Sequence, residues 1–164
     1  MEFIKHTIQW CKGEIFEGKM VLLFGILFLI ISLSFWKFGT TPNAKASIIP
    51  VLVVALLHIG TGVSMIINNR NRQNQYTVEF NANADNFKKS EIERTENFIK
   101  WYPKLRYFSL GLIITGFLLV ALITTPMWRS IGLCIMITAF SLIIIDYFSE
   151  ERAHHYHSIL ISKK

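Results

Sequence analysis

The sequence predicts an all-α polytopic membrane protein: a four-transmembrane-helix bundle with an N-terminal amphipathic helix and a cytosolic helical loop. Three observations carry this. Four apolar runs long enough to cross a hydrocarbon core divide the 164 residues, of which 52% are hydrophobic, with a mean hydropathy of +0.40. The four tryptophans, Trp10, Trp36, Trp101 and Trp128, fall at the expected edges of those runs, where an amphipathic ring is favoured. All 17 Lys and Arg residues except Lys37, Lys45 and Arg129 belong to segments that share a side with the N-terminus. By the positive-inside rule that side is the cytoplasm, so both termini and the long loop are expected there, in a bacterial inner membrane.

Residues 1–19 carry Ile4, Ile8, Cys11 and Ile15 at helical spacing with Phe3, Trp10 and Phe16 beside them, and Glu2, Lys5, Gln9 and Lys12 elsewhere on the wheel. The pattern suits an interfacial helix in the headgroup layer. Packing on the protein's own polar loop explains it equally well. Gly13 and Gly18 weaken helix there, which predicts a turn into the bilayer.

The first span is expected at 20–37. It is no cleaved signal peptide, because the region before it is too long and no Ala-x-Ala-like site follows. A turn-rich connection through Gly39 and Pro42 then leads to the second span, 46–67, with Pro50 in its first turns, His58 near its middle, and Gly60 and Ser64 as a small-x-x-x-small pair. The polar loop is 68–103. Within it Asp85 is expected to cap a helix over 86–102, with Glu96 four residues before Lys100 as a supporting pair. The third span is 105–125, with Gly111 and Gly116 as small contacts. After a tight turn at Pro126 the fourth covers 129–148 and, with no Gly or Pro where the apolar run passes into Asp146 and the polar residues after it, continues to about 160 as a cytosolic helical tail. Cys11 and Cys134 sit in unrelated settings and predict no disulfide.

His58 is the sharpest intramembrane polar residue. An ionisable group at that depth must face the bundle interior, and a relay would need a second such group, which the spans do not supply. A neutral imidazole bonded to backbone or hydroxyl across a helix contact is the plainer reading. The tail is richer: Asp146, Glu150, His154 and His157 recur at i, i+4, i+8 and i+11, so one helical face presents them, with Glu151 and His155 alongside. Carboxylate and imidazole at that spacing suit a divalent metal, the one cofactor the sequence suggests, although none is assigned. A di-iron bundle is not expected, since Glu151 to His154 is the single Glu-x-x-His.

Arg152 and His157, separated by four residues, form a segment that resembles the Arg-x(4–6)-His motif of HEPN-type ribonucleases. That resemblance implies metal-free RNA cleavage by two motifs meeting across a dimer, as in an accessory protein of phage defence; Ala153 stands where the motif usually has a polar residue. A phosphate-cradling Gly loop, a Gly-x-Ser-x-Gly elbow and a His-Glu-x-x-His helix are all missing. The basic loop from Arg70 to Arg106 has aromatic residues interleaved that could stack bases, but adjacent anionic headgroups explain its charge with fewer assumptions than nucleic acid.

The sequence therefore points first to a small homo-oligomeric channel, pore or membrane scaffold without catalytic activity. The second expectation is an enzyme built on the tail.

Overall fold

The computed structural model describes residues 2–162, without the Glu2 side chain; Met1, and Lys163 and Lys164 of the charge bias, lie outside the described residues. Five helices follow in order: α1 (Glu2–Phe38), α2 (Pro42–Ala82), α3 (Ala84–Ile99), α4 (Tyr102–Leu122) and α5 (Pro126–Ser162). No strand occurs among the described residues. Four helical segments are long and apolar enough to cross a membrane, and only 11–28% of the residues in their apolar windows are buried inside the chain. Side chains such as Phe24, Leu56, Ile114 and Phe140 point outward, which water would not tolerate on this scale and hydrocarbon does. The protein is thus a multi-pass, all-α membrane protein.

Helix length separates two layers. At about 1.5 Å per residue, some 20 residues cross a core roughly 30 Å thick. α4, with 21 residues, does little more than that. α1 and α5 have 37 residues each and α2 has 41, so all three project well beyond the core at one end. The short links at residues 39–41 and 123–125 lie at the other end, where the Ser47 and Ser130 hydroxyls bond to each other. At the projecting, polar end the starts of α1 and the ends of α2 and α5 form a second bundle, which α3 completes.

In the membrane layer α1 packs on α2 and α4 packs on α5, while α2 and α5 join the two hairpins. Glycines set the closest approaches. A Cβ on Gly62 would stand 2.6 Å from the Leu22 amide nitrogen and 2.7 Å from the Gly18 carbonyl oxygen. Likewise, Gly116 and Gly132 each stand where a Cβ would come within 2.6 Å of the other's carbonyl oxygen. Backbones this close require hydrogen in place of a side chain.

Several expectations change. α1 does not turn at Gly13 or Gly18, so the amphipathic stretch is the first part of the same helix as the apolar run and not a separate element. Its stripe enters a protein core: Trp10 and Cys11 are buried with Tyr76, Phe87, Tyr156 and Leu160. Trp10 is therefore no membrane-edge anchor, unlike the exposed Trp36, Trp101 and Trp128. The polar run Asn68 to Gln75 continues α2 without a break. Pro50 lies well inside α2 because that helix starts at Pro42, capped by Thr41 Oγ1, which accepts from the Ala44 amide at 3.2 Å. Asn83, not Asp85, caps α3. Its Oδ1 accepts from the Asn86 amide at 2.9 Å, and its own N–H closes α2 on the Glu79 carbonyl. Glu96 turns away from the expected Lys100 pairing toward His157, with Oε1 and Nε2 3.4 Å apart. α5 is unbroken from Pro126 to Ser162, so the helix continues past the fourth apolar run.

Candidate functional site

The polar bundle brings together most of the chain's charged and hydroxyl groups that lie inside protein. Its centre is the Tyr156 hydroxyl on α5, 2.7 Å from Thr7 Oγ1 on α1 and donating to Glu91 Oε2 on α3 at 3.0 Å. Glu91 is only 2% exposed, and it accepts from Arg94 Nε and Nη2 at 2.7 and 2.8 Å. A carboxylate so buried needs that fork of charged donors. The Arg94 guanidinium is itself covered by the Trp10 ring at 4.6 Å and the Tyr76 ring at 5.7 Å, and Trp10 stacks on Tyr156. Burial alone would lower the Arg94 pKa, but the bonds to Glu91 and its charge raise it. Burial pushes the Tyr156 phenol up and the Tyr76 phenol up to about 12, both reinforced by the Glu91 charge. The Cys11 thiol, free and buried, is driven up to about 11 mainly by burial, which makes it a packing atom and no nucleophile.

One to two turns nearer the apolar layer lies a second cluster. Arg152 Nη2 donates to Glu14 Oε1 at 2.9 Å and lies 2.7 Å from Glu17 Oε2, the latter a charge contact whose angle is not that of a hydrogen bond. Ser149 Oγ donates to Glu14 at 3.3 Å and meets the Tyr102 hydroxyl at 2.9 Å, so α1, α4 and α5 are tied at one level. Burial raises the Glu17 pKa, and the Arg152 guanidinium beside it only partly reverses this. For Arg152 burial acts downward, but Glu17 and Glu14 together outweigh it and raise the pKa. Sequence inspection did not single out either glutamate, because on a wheel they read as solvated residues of an amphipathic helix.

Beside these clusters, a cleft of about 470 Å³ opens between α1 and α5, lined by His6, Gln9, Trp10, Glu151, Arg152, His155, Tyr156 and Ile159. Its volume is that of a small-molecule site. His6 was missed because it lies off the apolar stripe, and only the α1–α5 contact reveals what it faces.

The residues the sequence singled out are dispersed. Glu150 pairs with Arg106 across α4 and α5, His157 faces Glu96, and His154 is exposed. Asp146 makes no hydrogen bond or salt bridge among the described residues. No three His, Cys, Asp or Glu side chains among the described residues are grouped to hold a metal ion, so one helical face did not become one coordination shell. Arg152 and His157 point to different acidic partners, Glu14 and Glu17 for the first and Glu96 for the second. His58 is 6% exposed. Its Nδ1 lies 2.9 Å from the Val54 carbonyl oxygen and its ring meets Phe28 edge to face, the arrangement of an imidazole satisfied by its own helix. Gly116 is a close internal contact, whereas Gly60 and Gly111 have nothing within 4 Å of a Cβ position. Ser64 accepts from Asn68 on the same helix.

Fold and site together define a four-span helical membrane protein with a packed polar bundle on one face. The chain matches no protein-family model, no curated protein and no solved structure.

Proposed function

We propose that this is a small inner-membrane protein without catalytic activity that works as a homo-oligomer, forming a channel, pore or scaffold, with the polar bundle on the cytoplasmic face against anionic headgroups. One observation carries the reading. The small residues fall into two sets: Gly62, Gly116 and Gly132 are consumed by contacts inside the chain, while Gly60 and Gly111 present open helix faces in the membrane layer. Small residues on a lipid-exposed face let a second helix approach closely. The charged groups of the polar bundle meanwhile lie in ion pairs with one another, Arg94 with Glu91 and Arg152 with Glu14 and Glu17, which suits a rigid platform better than a reaction centre. The tail-metal reading, with Asp146, Glu150, His154 and His157, and the RNase-like reading, with Arg152 and His157, find less support, because Glu150, Arg152 and His157 already face partners of opposite charge or acidic acceptors.

The test is the mass of the protein in nanodiscs. Assemblies of several copies that Gly60→Leu and Gly111→Leu reduce to monomers, with helicity unchanged, are expected. A monomer at all concentrations sinks the reading. Ion flux in liposomes that responds to His58→Ala would select the channel over the scaffold, and stoichiometric metal lost in His154→Ala/His157→Ala would favour the enzyme.

A further inference from the structure

A crevice of about 160 Å³ opens between α4 and α5 where both helices leave the apolar layer on the polar side, lined by Arg106, Ile143, Asp146 and Tyr147. Its charges are unequal. α4 contributes the Arg106 guanidinium, which is already bound to the Glu150 carboxylate of α5. Asp146, half-buried, is within electrostatic reach of Arg106 and Glu150, and Glu17 of α1 feels its charge. Set against one guanidinium are thus two carboxylates on α5, while Glu17 of α1 is already taken by Arg152, and Asp146 has no bonded partner among the described residues. An ionised carboxylate at the edge of hydrocarbon calls for a cation that can hydrogen-bond to it.

We propose that this crevice binds an aminoalkyl phosphate, the headgroup chemistry of an ethanolamine phospholipid: the primary ammonium donates to Asp146 and the phosphate takes the Arg106 N–H groups not used by Glu150. Several features fit that ligand together. The cavity is the size of one headgroup, its cation comes from α4 and its free carboxylate from α5, and Ile143 and the exposed Tyr147 complete its lining with apolar surface. A choline headgroup would fail at Asp146, since a quaternary ammonium has no N–H to donate. A glycerol headgroup would lack the cation altogether. The site belongs to a single copy of the chain, so it stands or falls independently of the oligomer.

The experiment adds ethanolamine, choline and glycerol phospholipids of identical acyl composition to the delipidated full-length protein and counts retained lipid by native mass spectrometry. Ethanolamine lipid should be retained about tenfold over choline lipid, the worth of one charge-assisted hydrogen bond. Asp146→Asn should abolish that preference, and Arg106→Gln should weaken all phospholipids alike. Ile143→Trp, which fills the crevice without touching a charge, should reproduce the loss and decides the matter if Asp146→Asn misfolds. Displacement of the lipid by soluble phosphoethanolamine would support the same chemistry with a free ligand as its source. Equal retention of the lipids by the unmodified protein, or a preference that survives Ile143→Trp, overturns the proposal.

Discussion

The Arg152 side chain lies directly across Gly13: a Cβ there would stand 2.8 Å from Arg152 Nε and 2.9 Å from Cδ. The missing side chain on α1 is the passage through which an α5 guanidinium reaches Glu14 and Glu17. With two carboxylates and one guanidinium, Arg152 is the group whose removal leaves the worst remainder. Arg152→Ala is expected to destabilise the protein by about 3 kcal/mol, toward the low end for a buried pair because Arg152 keeps 30% of its side-chain surface exposed. Adding Glu17→Gln should restore more than half of this. Thermal unfolding in detergent of the single and double variants measures both numbers, and simple additivity would show the cluster is not coupled.

Glu17 also makes stability depend on pH. Its folded pKa is raised by burial above the ordinary 4.5, so folding favours the protonated form. Its stabilising contribution is complete below the ordinary value and is lost as pH rises through the raised one. A melting temperature that falls over that interval, and a flatter profile in Glu17→Gln, are expected. An unchanged profile in the variant would assign the dependence elsewhere.

The Tyr156 hydroxyl reaches both α1 and α3. Tyr156→Phe keeps the ring on Trp10 but leaves Thr7 and Glu91 each short of a partner inside protein. A loss of about 1–3 kcal/mol follows. Near-ultraviolet circular dichroism should show the polar bundle loosening while the apolar spans keep their helicity. Equal stability of the two proteins would mean that water replaces the hydroxyl.

Two glycines on α4 should respond to alanine with opposite signs. Gly111 has open space around it within one copy, so in the monomeric protein Gly111→Ala is expected to gain about 0.5–1 kcal/mol from helix propensity alone. At Gly116 a Cβ would meet the Gly132 carbonyl oxygen at 2.6 Å, and that neighbour is backbone, which cannot swing aside. Gly116→Ala should therefore destabilise the α4–α5 hairpin despite the same propensity gain. Unfolding of both variants in one detergent provides the comparison.

Sequence alone determined the solvent of this chain. Hydropathy, the placing of Trp36, Trp101 and Trp128 and the absence of breakers after Gly132 are local properties, and they led to four spans and to one long final helix because hydrocarbon acts on each segment by itself. They also marked His58 as an intramembrane imidazole that is either a relay or satisfied by a neighbour. What the tertiary structure decided is which polar residues meet. Glu14, Glu17 and Glu91 look like solvated positions on their own wheels, and they become buried ionic centres only because α1, α3 and α5 converge beyond the apolar layer. Asp146, Glu150, His154 and His157 share a face of one helix, yet Arg106 and Glu96 approach that face from other elements and divide it. Periodicity reports the direction of a side chain from its own axis; pairing energy depends on what stands opposite, which no single segment contains.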